Sequence, residues 1–572
     1  MRELRRGALH ALLLLLVLAT GCGPGPDRAP RAGGEAGNQV DAAPKRIVAA
    51  IRSEPPTLYT KVATRTTSLP GLDALDDMLH AGLSVEAPEG VQRAQLAEAM
   101  PTVENGLWRI FPDGRMETRW VIRADARWHD GVPVTAHDAV FTATVAQDPE
   151  LPTFGDEAYT FLDRIEAADD RTVVAYWSRP FITADALLGR ESGVPLPKHI
   201  LERPYLENKA GFQQLPHWAD EFVGAGPFRL KEFQRGSHVI MEAHPGYALG
   251  RPKIDVVEVK FITNTSTMVA NLLAGTIELT LGRTLSLEEA VQARDQWPAG
   301  TMVVLPNTLI RVYAQMDNPQ PAILSNAQMR RALLHAMDRK QMVDAFQDGL
   351  TSVTHTILPD QPRFAPIIAR TPKYDYDPTR ALQLIDGLGY TRGPDGMLVD
   401  GSRRPLPPIE IRAPGTADLQ LDLMHTISDY WQRVGVATEL VPVPLSRNQD
   451  REYRSTRPAY YVVGGPGGLE GIPRLFPSSE IPSPRTRWAG NNASRWSNAE
   501  MDELVEHYLV TIPERERMDV VERIMRLAND ELPLYPLFFN VEPTMIANRL
   551  ANVSGRSSPG TQAWNAHEWD VK

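Results

Sequence analysis

Apolar and polar positions along the chain follow two spacings, one typical of strands and the other of helices. Arg46–Ile51 is a short apolar run that predicts a strand. Residues 107–122 predict a β-hairpin, because alternating apolar positions flank a Pro-Asp-Gly turn at 112–114. Thr135 and Asp138 form a capping-box pattern, which predicts a helix start.

Beyond residue 325 the spacing is mostly helical. Cap residues predict helix starts at Ser325, Asp338, Asp377, Ser497 and Pro513, and glycines predict helix ends at Gly349, Gly389 and Gly435. Residues 409–412 and 437–443 read as strands on either side of an amphipathic helix that ends at Gly435. A strand–helix–strand order indicates a largely parallel sheet, so we predict an α/β protein of at least two lobes.

The first 22 residues have the pattern of an export signal. Three arginines among the first six residues precede an apolar run at 12–18, and small residues follow up to Cys22. This run is shorter than the roughly 20 apolar residues that span a bilayer. Residues 19–22 resemble a bacterial lipobox, although Ala19 stands where leucine is usual. The alternative is an ordinary signal peptide with a chance cysteine.

Cys22 is the only cysteine of the chain. A lone thiol cannot form an internal disulfide and is a liability in an oxidising compartment, and attachment of lipid would remove it. Residues 23–44 are rich in Gly, Pro and Ala without apolar periodicity, so we predict a flexible tether.

Composition narrows the classes of function. The chain has 572 residues, of which 42% are hydrophobic and 23% charged, so it is large enough for several lobes. Its net charge of −11 disfavours nucleic acid as a partner. The sequence has no G-x-S-x-G and no phosphate-binding G-x-x-x-x-G-K-[ST] motif, and we predict no catalytic residue, no metal and no cofactor. His129 and His137 each precede an aspartate, but turn and cap roles explain these pairs better than a metal site.

Residues 120–141, WVIRADARWHDGVPVTAHDAVF, resemble the signature of the extracellular solute-binding proteins of the oligopeptide/dipeptide/nickel type. Further landmarks of that family follow in its order: GAGPF at 224–228, MRRALLHAMDR at 329–339, YDP at 376–378, WSN at 496–498, PLYPL at 533–537 and WNAHEW at 564–569. The resemblance covers roughly residues 45–572.

The resemblance implies a two-lobed α/β fold of the periplasmic-binding-protein type, with a subdomain inserted in lobe I and a hinge between the lobes. We expect the following division: signal peptide 1–22, tether 23–44, lobe I 45–305 with the insertion at about 86–205, lobe II 306–536, and a return to lobe I at 537–572. Hinge segments are expected near 313–318 and 537–540.

The function that the resemblance implies is that of a solute-binding receptor of an ABC importer. Such a receptor captures a small ligand, peptide-like or another polar solute, between its lobes and delivers it to a membrane permease and its ATPase. We expect a monomer in the periplasm or at the cell surface, held to the membrane by the N-terminal lipid. The alternative is a ligand-sensing or interaction lipoprotein that keeps the fold without transport.

Candidate ligand-binding residues follow from the same resemblance. In lobe I they are Thr57, Tyr59 and Arg65, although Arg65 could equally be a solvated surface charge. In lobe II they are Tyr461, Gly465, Glu470, Trp488 and Asn491, and Trp488 has core packing as its alternative.

One departure from the family pattern bears on the ligand. Peptide-binding members carry an aspartate at the end of a lobe II strand, which pairs with the ligand's ammonium group. Here glycines and a proline occupy 464–468, and Glu470 is the nearest carboxylate. Ordinary peptides with free N-termini are therefore less favoured, and the glycines would let backbone amides approach a sugar, a modified peptide or another polar solute.

Overall fold

The computed structural model describes residues 43–63, 69–555 and 560–572. The predicted signal peptide, Cys22, nearly all of the predicted tether and Arg65 lie outside the described residues. Among the helices that are described, none combines the length and the apolar character needed to cross a membrane.

The described strands range from two to fifteen residues. They are β1 (Arg46–Ile51), β2 (Ser84–Glu86), β3 (Gln92–Ala94), β4 (Trp108–Ile110), β5 (Met116–Val121), β6 (Leu162–Ala167), β7 (Thr172–Trp177), β8 (Phe228–Gln234), β9 (His238–Ala243), β10 (Val256–Phe261), β11 (Leu279–Thr280), β12 (Gly300–Ala314), β13 (Thr391–Arg392), β14 (Leu398–Val399), β15 (Ile409–Pro414), β16 (Thr438–Val443), β17 (Tyr460–Gly465), β18 (Leu534–Ala547), β19 (Leu550–Ala551) and β20 (Asp570–Val571).

The described α-helices connect these strands. They are α1 (Leu72–Leu79), α2 (Ala136–Ala146), α3 (Glu157–Phe161), α4 (Lys198–Glu207), α5 (Thr265–Leu273), α6 (Leu287–Gln296), α7 (Ala327–His335), α8 (Arg339–Phe346), α9 (Ala365–Arg370), α10 (Pro378–Asp386), α11 (Asp418–Arg433), α12 (Arg451–Ser455), α13 (Gly468–Leu475), α14 (Ala499–Val510) and α15 (Glu514–Glu531).

The largest sheet has ten strands in the order β16-β15-β17-β12-β18-β11-β1-β10-β9-β8. β15 pairs in parallel with β16 and β17, and β1 pairs in parallel with β10 and β11, whereas the other pairs of this sheet are antiparallel. The sheet is therefore mixed, and the expectation of a largely parallel sheet is wrong, because most of its pairs are antiparallel. The predicted α/β class is confirmed. The predicted strand–helix–strand unit is also confirmed, as β15, α11 and β16.

Two long strands join the two sections of this sheet. β12 and β18 are antiparallel from Gly300 opposite Ala547 to Tyr313 opposite Leu534. β11 pairs with one end of β18, and β17 pairs with the other half of β12, from Leu309 onwards. Both strands thus run from the β1 section of the sheet into the β15 section.

The hydrophobic cores separate the molecule into two lobes. Two core clusters draw only on buried residues between 309 and 539 and pack against the β15 section; we refer to this part as lobe II. The clusters around β1, β8 and β12 draw on residues 47–297 and 545–569, and we refer to this part as lobe I. The two-lobed fold is confirmed, while the exact domain boundaries given above stay predictions.

Lobe I carries the expected inserted subdomain. A separate four-stranded sheet in the order β4-β5-β7-β6 lies between β1 and β8 in sequence. Its core contains four tryptophans that are 0 to 6% exposed, namely Trp108, Trp120, Trp128 and Trp177. The predicted hairpin at 107–122 is β4 with β5, paired with Trp108 opposite Thr118.

The pairing of β12 with β18 is irregular at two points: between Ile310 and Arg311, opposite Phe538 and Pro536, and between Pro306 and Thr308, opposite Val541 and Asn540. Proline has no backbone N–H, so it cannot donate to the ladder at this point. Both irregularities lie at or beside the hinge expected at 537–540, and both precede the one expected at 313–318. Tyr313 itself is paired on both sides, with residues of β17 and β18, so it is part of a regular ladder.

Most predicted helix starts agree with the structure. The capping box at Thr135 is present, and Asp338 and Asp377 cap α8 and α10. Two starts lie one residue later than predicted, because Asn326 caps α7 instead of Ser325 and Asn498 caps α14 instead of Ser497. Asparagine is as good an N-cap as serine. In both helices its side chain accepts a hydrogen bond from a backbone N–H of the first turn.

The GAGPF turn fixes the end of α1. The Gly226 N–H donates to the Leu79 carbonyl at 3.0 Å. A β-carbon on Gly226 would lie 2.4 Å from the Leu79 carbonyl carbon and 2.6 Å from the His80 nitrogen, both of which are backbone atoms. Only glycine therefore allows this turn to approach α1 so closely.

We expect Gly226→Ala to lower the free energy of unfolding by about 2 kcal/mol, because overpacking against backbone cannot be relieved by a side-chain rotation. Urea denaturation of the two proteins measures the difference. Gly401→Ala is the matched control, since a β-carbon there meets nothing within 4 Å. Equal stability of the Gly226 and Gly401 variants would show that the turn tolerates a side chain.

Candidate ligand cleft between the lobes

A cavity of about 50 Å³ lies in lobe I beside the end of α1. Its walls come from α1, the β2–β3 hairpin, the segment 186–194 and Gly560. Eight of its lining side chains are ionisable or carry an amide: Asp76, Asp77, His80, Glu86, Gln92, Gln95, Arg190 and Glu191. Glu191 is the exposed member of this set.

Asp76 is 1% exposed and forms part of the cavity wall. Its Oδ2 accepts hydrogen bonds from the Thr60 backbone N–H at 3.0 Å and from the Thr60 hydroxyl. Its Oδ1 lies 3.5 Å from Nε2 of His80. Burial raises the pKa of Asp76 to about 7, against the lowering effect of the Thr60 hydrogen bonds.

His80 is the buried neighbour of this carboxylate. Its side chain is 4% exposed, and its Nε2 has no hydrogen-bond partner among the described residues. Burial holds the pKa of His80 well below its ordinary value, so the imidazole is neutral. A neutral imidazole has one nitrogen that can accept a hydrogen bond.

Asp77 and Arg190 form the charged pair of the cavity wall. Asp77 Oδ1 lies 3.4 Å from Arg190 Nε, and its Oδ2 accepts from the Thr561 hydroxyl. Arg190 also pairs with Glu191, through Nη2 at 3.2 Å. Burial raises the pKa of Asp77, and Arg190 opposes that rise.

Glu86 stands at the end of β2, where Gln92 donates to its Oε2 at 3.3 Å. Burial, followed by repulsion from Glu470, raises the pKa of Glu86 to about 7. Glu470 belongs to α13 of lobe II, so this repulsion acts between the two lobes.

Lobe II thus contributes two charged groups that interact with lobe I, Glu470 and Arg363. Glu470 keeps contact with solvent. Partial desolvation by the surrounding protein, followed by repulsion from Glu191, raises its pKa. Arg363 donates from Nη1 to the Gly90 carbonyl at 3.2 Å, which is a direct hydrogen bond between the lobes.

An apolar contact between the lobes lies near the same cleft. Ile512, between α14 and α15, is 6% exposed and belongs to the core of the inserted subdomain. In return, Ile182 of the subdomain packs against a lobe II core. The two lobes thus touch through both polar and apolar groups.

The two described lobe I candidates, Thr57 and Tyr59, do not line the cavity. The Thr57 hydroxyl donates to the Tyr59 carbonyl at 2.9 Å and accepts from the Tyr59 N–H, which makes a local turn. Tyr59 is 2% exposed, stacks on Trp218 and lies 4.5 Å from His80 between ring centres. Tyr59 therefore packs against His80. Arg65 lies outside the described residues.

Tyr461 and Gly465 lie on β17. Tyr461 is 6% exposed in a lobe II core, 5.8 Å from the guanidinium of the buried Arg457. A β-carbon on Gly465 would lie 2.4 Å from Nη2 of Arg311, whose Nη1 donates to the Pro466 carbonyl at 2.7 Å. The small size of Gly465 therefore makes room for Arg311.

Trp488 and Asn491 belong to a loop of lobe II. Trp488 has a φ of +59° and lies 5.9 Å from the guanidinium of Arg495. Asn491 donates from its backbone and its side chain to Glu480, at 3.1 and 3.0 Å. Both residues are thus engaged within this loop. Glu470 is the predicted lobe II residue whose charge acts on Glu86 of the cavity wall.

Sequence reasoning missed Asp76, Glu86 and Arg190. No motif contains them, but one signal was present in α1, whose sequence is LDALDDML. Asp76 occurs four residues after Leu72 and three before Leu79, so it lies on the apolar face of the helix. A carboxylate on a buried face indicates a functional site candidate.

The described residues contain no group of three or more His, Cys, Asp or Glu side chains arranged to hold a metal ion. The cleft is thus a site of carboxylates, guanidinium groups and one neutral imidazole. Such groups bind polar and charged solutes through hydrogen bonds and ion pairs.

Comparison with known proteins identifies relatives of this chain. The family profile described as "Bacterial extracellular solute-binding proteins, family 5 Middle" matches residues 103–471. The chain is 27% identical to the oligopeptide-binding protein AppA of Bacillus subtilis over 331 residues, which are 57% of this chain and 56% of that protein. It is 24% identical to the heme-binding protein A of Haemophilus influenzae over 454 residues, which are 76% of this chain and 78% of that protein.

Solved structures show the same fold. HbpA2 from Haemophilus parasuis superposes with a TM-score of 0.74 at 18% identity, over 92% of this chain and all of that chain. In sequence, however, the chain spans little more than half the length of the B. subtilis relative.

The raised pKa of Asp76 has a consequence for stability. A raised pKa means that the folded state holds the proton more tightly than the unfolded chain does, so the stability that Asp76 contributes is full below about pH 3.8 and is lost as the pH rises towards 7. Each pH unit in that window costs up to about 1.4 kcal/mol.

We expect Asp76→Asn to remove this dependence, because asparagine keeps an acceptor for Thr60 but has no charge. The free energy of unfolding of the variant relative to the parent should rise by roughly 2 kcal/mol between pH 5 and pH 8. Urea denaturation at both pH values measures it. Glu89→Gln, at an exposed position of the same lobe, is the control and should track the parent. A difference that stays constant with pH would mean that Asp76 does not titrate in this range.

Proposed function

The chain belongs to the bacterial extracellular solute-binding proteins of family 5, and from this premise we propose that it is the solute-binding receptor of an ABC importer. It captures a small polar or peptide-like solute between lobe I and lobe II and delivers it to a membrane permease. The relatives named above are an oligopeptide-binding and a heme-binding protein, so the family accepts chemically different solutes.

One observation carries the proposal: charged groups from both lobes face the same cleft. Glu470 of lobe II acts on Glu86 and Glu191 of lobe I, and Arg363 bridges the lobes to Gly90. A solute bound there contacts both lobes at once, so it stabilises the arrangement in which they face each other. A receptor whose conformation a permease recognises must change its preferred conformation when solute binds, and contact with both lobes provides that change.

Binding without chemical turnover is part of the proposal. The cleft is built for ion pairs and hydrogen bonds, and the family consists of binding proteins. We therefore expect the solute to leave the protein unchanged.

Export and lipid anchoring are also part of the proposal. They rest on the arginine-rich start, the apolar run at 12–18 and the lipobox-like residues before Cys22. Acylation by two or more chains would hold the protein stably at the membrane, where the permease resides.

Solute binding can be tested by native mass spectrometry of the purified protein, alone and with peptides, sugars, metal chelates and polyamines. We expect one bound solute per chain with unchanged mass after incubation. At a hundredfold excess over Kd, binding should stabilise the fold by about 2.7 kcal/mol in thermal unfolding. No bound mass and no thermal shift across all four classes would contradict the receptor and favour the sensing or interaction lipoprotein.

Lipid attachment is tested by replacing its acceptor. We expect Cys22→Ser to shift the protein from the membrane fraction to the soluble exported fraction and to abolish labelling by a radioactive fatty acid. Mass spectrometry of the N-terminal peptide gives the same answer independently. Fatty-acid labelling that persists in the variant would disprove anchoring at Cys22.

A further inference from the structure

Four buried histidines lie close together around Phe222 in lobe I. They are 3 to 9% exposed and come from four distant segments of the chain: His80, His129, His217 and His244. Three of their rings lie 4.6 to 6.4 Å from the ring of Phe222 between centres. The fourth ring, that of His244, lies 5.0 Å from the ring of His129. We refer to these four side chains as the histidine cluster.

Hydrogen bonds from two of these histidines hold the turn at 224–228. Nδ1 of His129 accepts from the Gly224 N–H at 3.1 Å, so this nitrogen carries no proton. Nε2 of the same ring lies 3.2 Å from the Gly226 carbonyl, to which it donates, and Nδ1 of His244 donates to that carbonyl at 3.1 Å. Protonation of His129 would place a second N–H against the Gly224 N–H and break their hydrogen bond.

The histidine cluster lies where the chain passes between lobe I and its inserted subdomain. Leu79 belongs to the core around β1 and Ala81 to the core of the subdomain, so the chain changes core at His80. On the return path, Ala225 packs in the core of the subdomain and Phe228 in the core around β1. Both connections between the two cores are therefore in contact with the cluster.

The other two histidines lie among aromatic rings. Nε2 of His80 and both ring nitrogens of His217 are buried and have no hydrogen-bond partner in the described part of the chain. Between ring centres, Tyr59 lies 4.5 Å from His80, and Trp218 lies 4.9 Å from His217. A protonated imidazole at either position would bury a charge and N–H donors without acceptors, which is unfavourable.

The groups around the cluster do not offset such a charge in acid. Oδ1 of Asp76 lies 3.5 Å from Nε2 of His80, but burial raises the pKa of Asp76 to about 7, so this carboxyl group is neutral in acid. Arg229 repels a proton on His129 or His244. Besides one another, the titratable groups that face the four rings, with their own ion-pair partners, are Tyr59, Asp76, Asp130, His199, Arg229 and Glu242.

We propose that the histidine cluster is an acid-sensitive hinge between lobe I and its inserted subdomain. In neutral solution the uncharged rings hold the turn at 224–228 against the end of α1. As the solution becomes acidic, protons enter the rings, the hydrogen bonds to Gly224 and Gly226 break, and the subdomain separates from the core around β1. The proposal goes beyond the receptor function, because it concerns the conformation of lobe I whichever solute is bound.

The direction of the pH effect follows from burial. Burial lowers the pKa of His129 to about 3 and that of His217 to about 4, and it also lowers the pKa values of His80 and His244. Rings that meet water in the separated form bind protons more tightly than rings in the docked form. The docked form is therefore fully stable above about pH 6.5, the ordinary pKa of histidine, and loses stability as the pH falls below it. Each ring that stays neutral changes the docking equilibrium by up to about tenfold per pH unit.

Hydrogen exchange of the purified protein at pH 7 and pH 5, followed by mass spectrometry of its peptides, tests the hinge. After correction for the intrinsic exchange rate, we expect residues 78–84, 128–134 and 222–228 to lose protection at least tenfold at pH 5. Strands β15 and β17 of lobe II should keep their protection. Equal loss of protection in both lobes, or no loss in the three lobe I segments, would overturn the proposal.

His217→Phe assigns the effect to the cluster. Phenylalanine keeps a ring stacked on Phe222 and cannot take up a proton, and no hydrogen bond is lost, because neither nitrogen of His217 has a partner in the described part of the chain. The loss of protection between pH 7 and pH 5 should be about tenfold smaller than in the parent. His425→Phe, at an exposed position of α11 in lobe II, is the matched control and should behave as the parent. The same pH dependence in His217→Phe as in the parent would disprove the role of this ring.

His129→Gln tests the hydrogen-bonded part of the cluster and decides the matter if His217→Phe does not fold. A glutamine amide offers an acceptor for the Gly224 N–H and a donor for the Gly226 carbonyl, but it does not titrate. We expect the turn at 224–228 to keep more of its protection at pH 5 than in the parent, again by about tenfold. A variant that is as protected as the parent at pH 7 and loses as much at pH 5 would contradict the hinge.

Discussion

The antiparallel pairing of β12 with β18 is the interaction on which the arrangement of both lobes depends. These two strands are central in the ten-stranded sheet, and each of the two sheet sections is hydrogen-bonded to one end of them. Backbone groups buried in a sheet must be paired, so the position of each lobe follows from this ladder. The regular pairing of the ladder is interrupted at Pro306 and again after Ile310, and we expect any rotation of one lobe against the other to concentrate between these two points.

The position of the acidic cavity follows from packing in lobe I. The close approach of Gly226 to Leu79 fixes the C-terminal end of α1, and α1 places Asp76 and His80 in the cavity wall. Desolvation then raises the pKa of Asp76, which lowers stability at neutral pH relative to an apolar residue. A site that costs stability in the empty protein is the expected signature of a function that a ligand completes.

Local signals in the sequence predicted much of the fold. Cap residues such as Thr135, Asp338 and Asp377 specify helix starts through hydrogen bonds within one turn, so they can be read without tertiary information. The one-residue shifts to Asn326 and Asn498 arose because two good caps are adjacent there. The hinge expected at 313–318 stays a prediction, and its first residues, Tyr313 and Ala314, belong to the paired strand β12.

The candidate site was harder to predict, because it is assembled from distant segments. Glu470 was found from its position after β17, but its neighbours Glu86 and Glu191 lie hundreds of residues away in sequence. Likewise, Gly465 suggested close approach of a ligand, whereas the structure shows that Arg311 occupies the space beside it. The sequence shows that a residue is small or charged, but only the folded structure shows which group lies next to it.

The positions of Arg311, Asp76 and Glu86 bear on residues 464–468, where the chain departs from the family pattern. The family resemblance led us to expect an aspartate on the lobe II wall, where this chain has glycines and Arg311 donates to the Pro466 carbonyl. A counter-charge acts through distance and desolvation, so it is equally effective from either wall of a cleft. In this chain, a buried and a half-buried carboxylate stand on the lobe I wall instead, at Asp76 and Glu86.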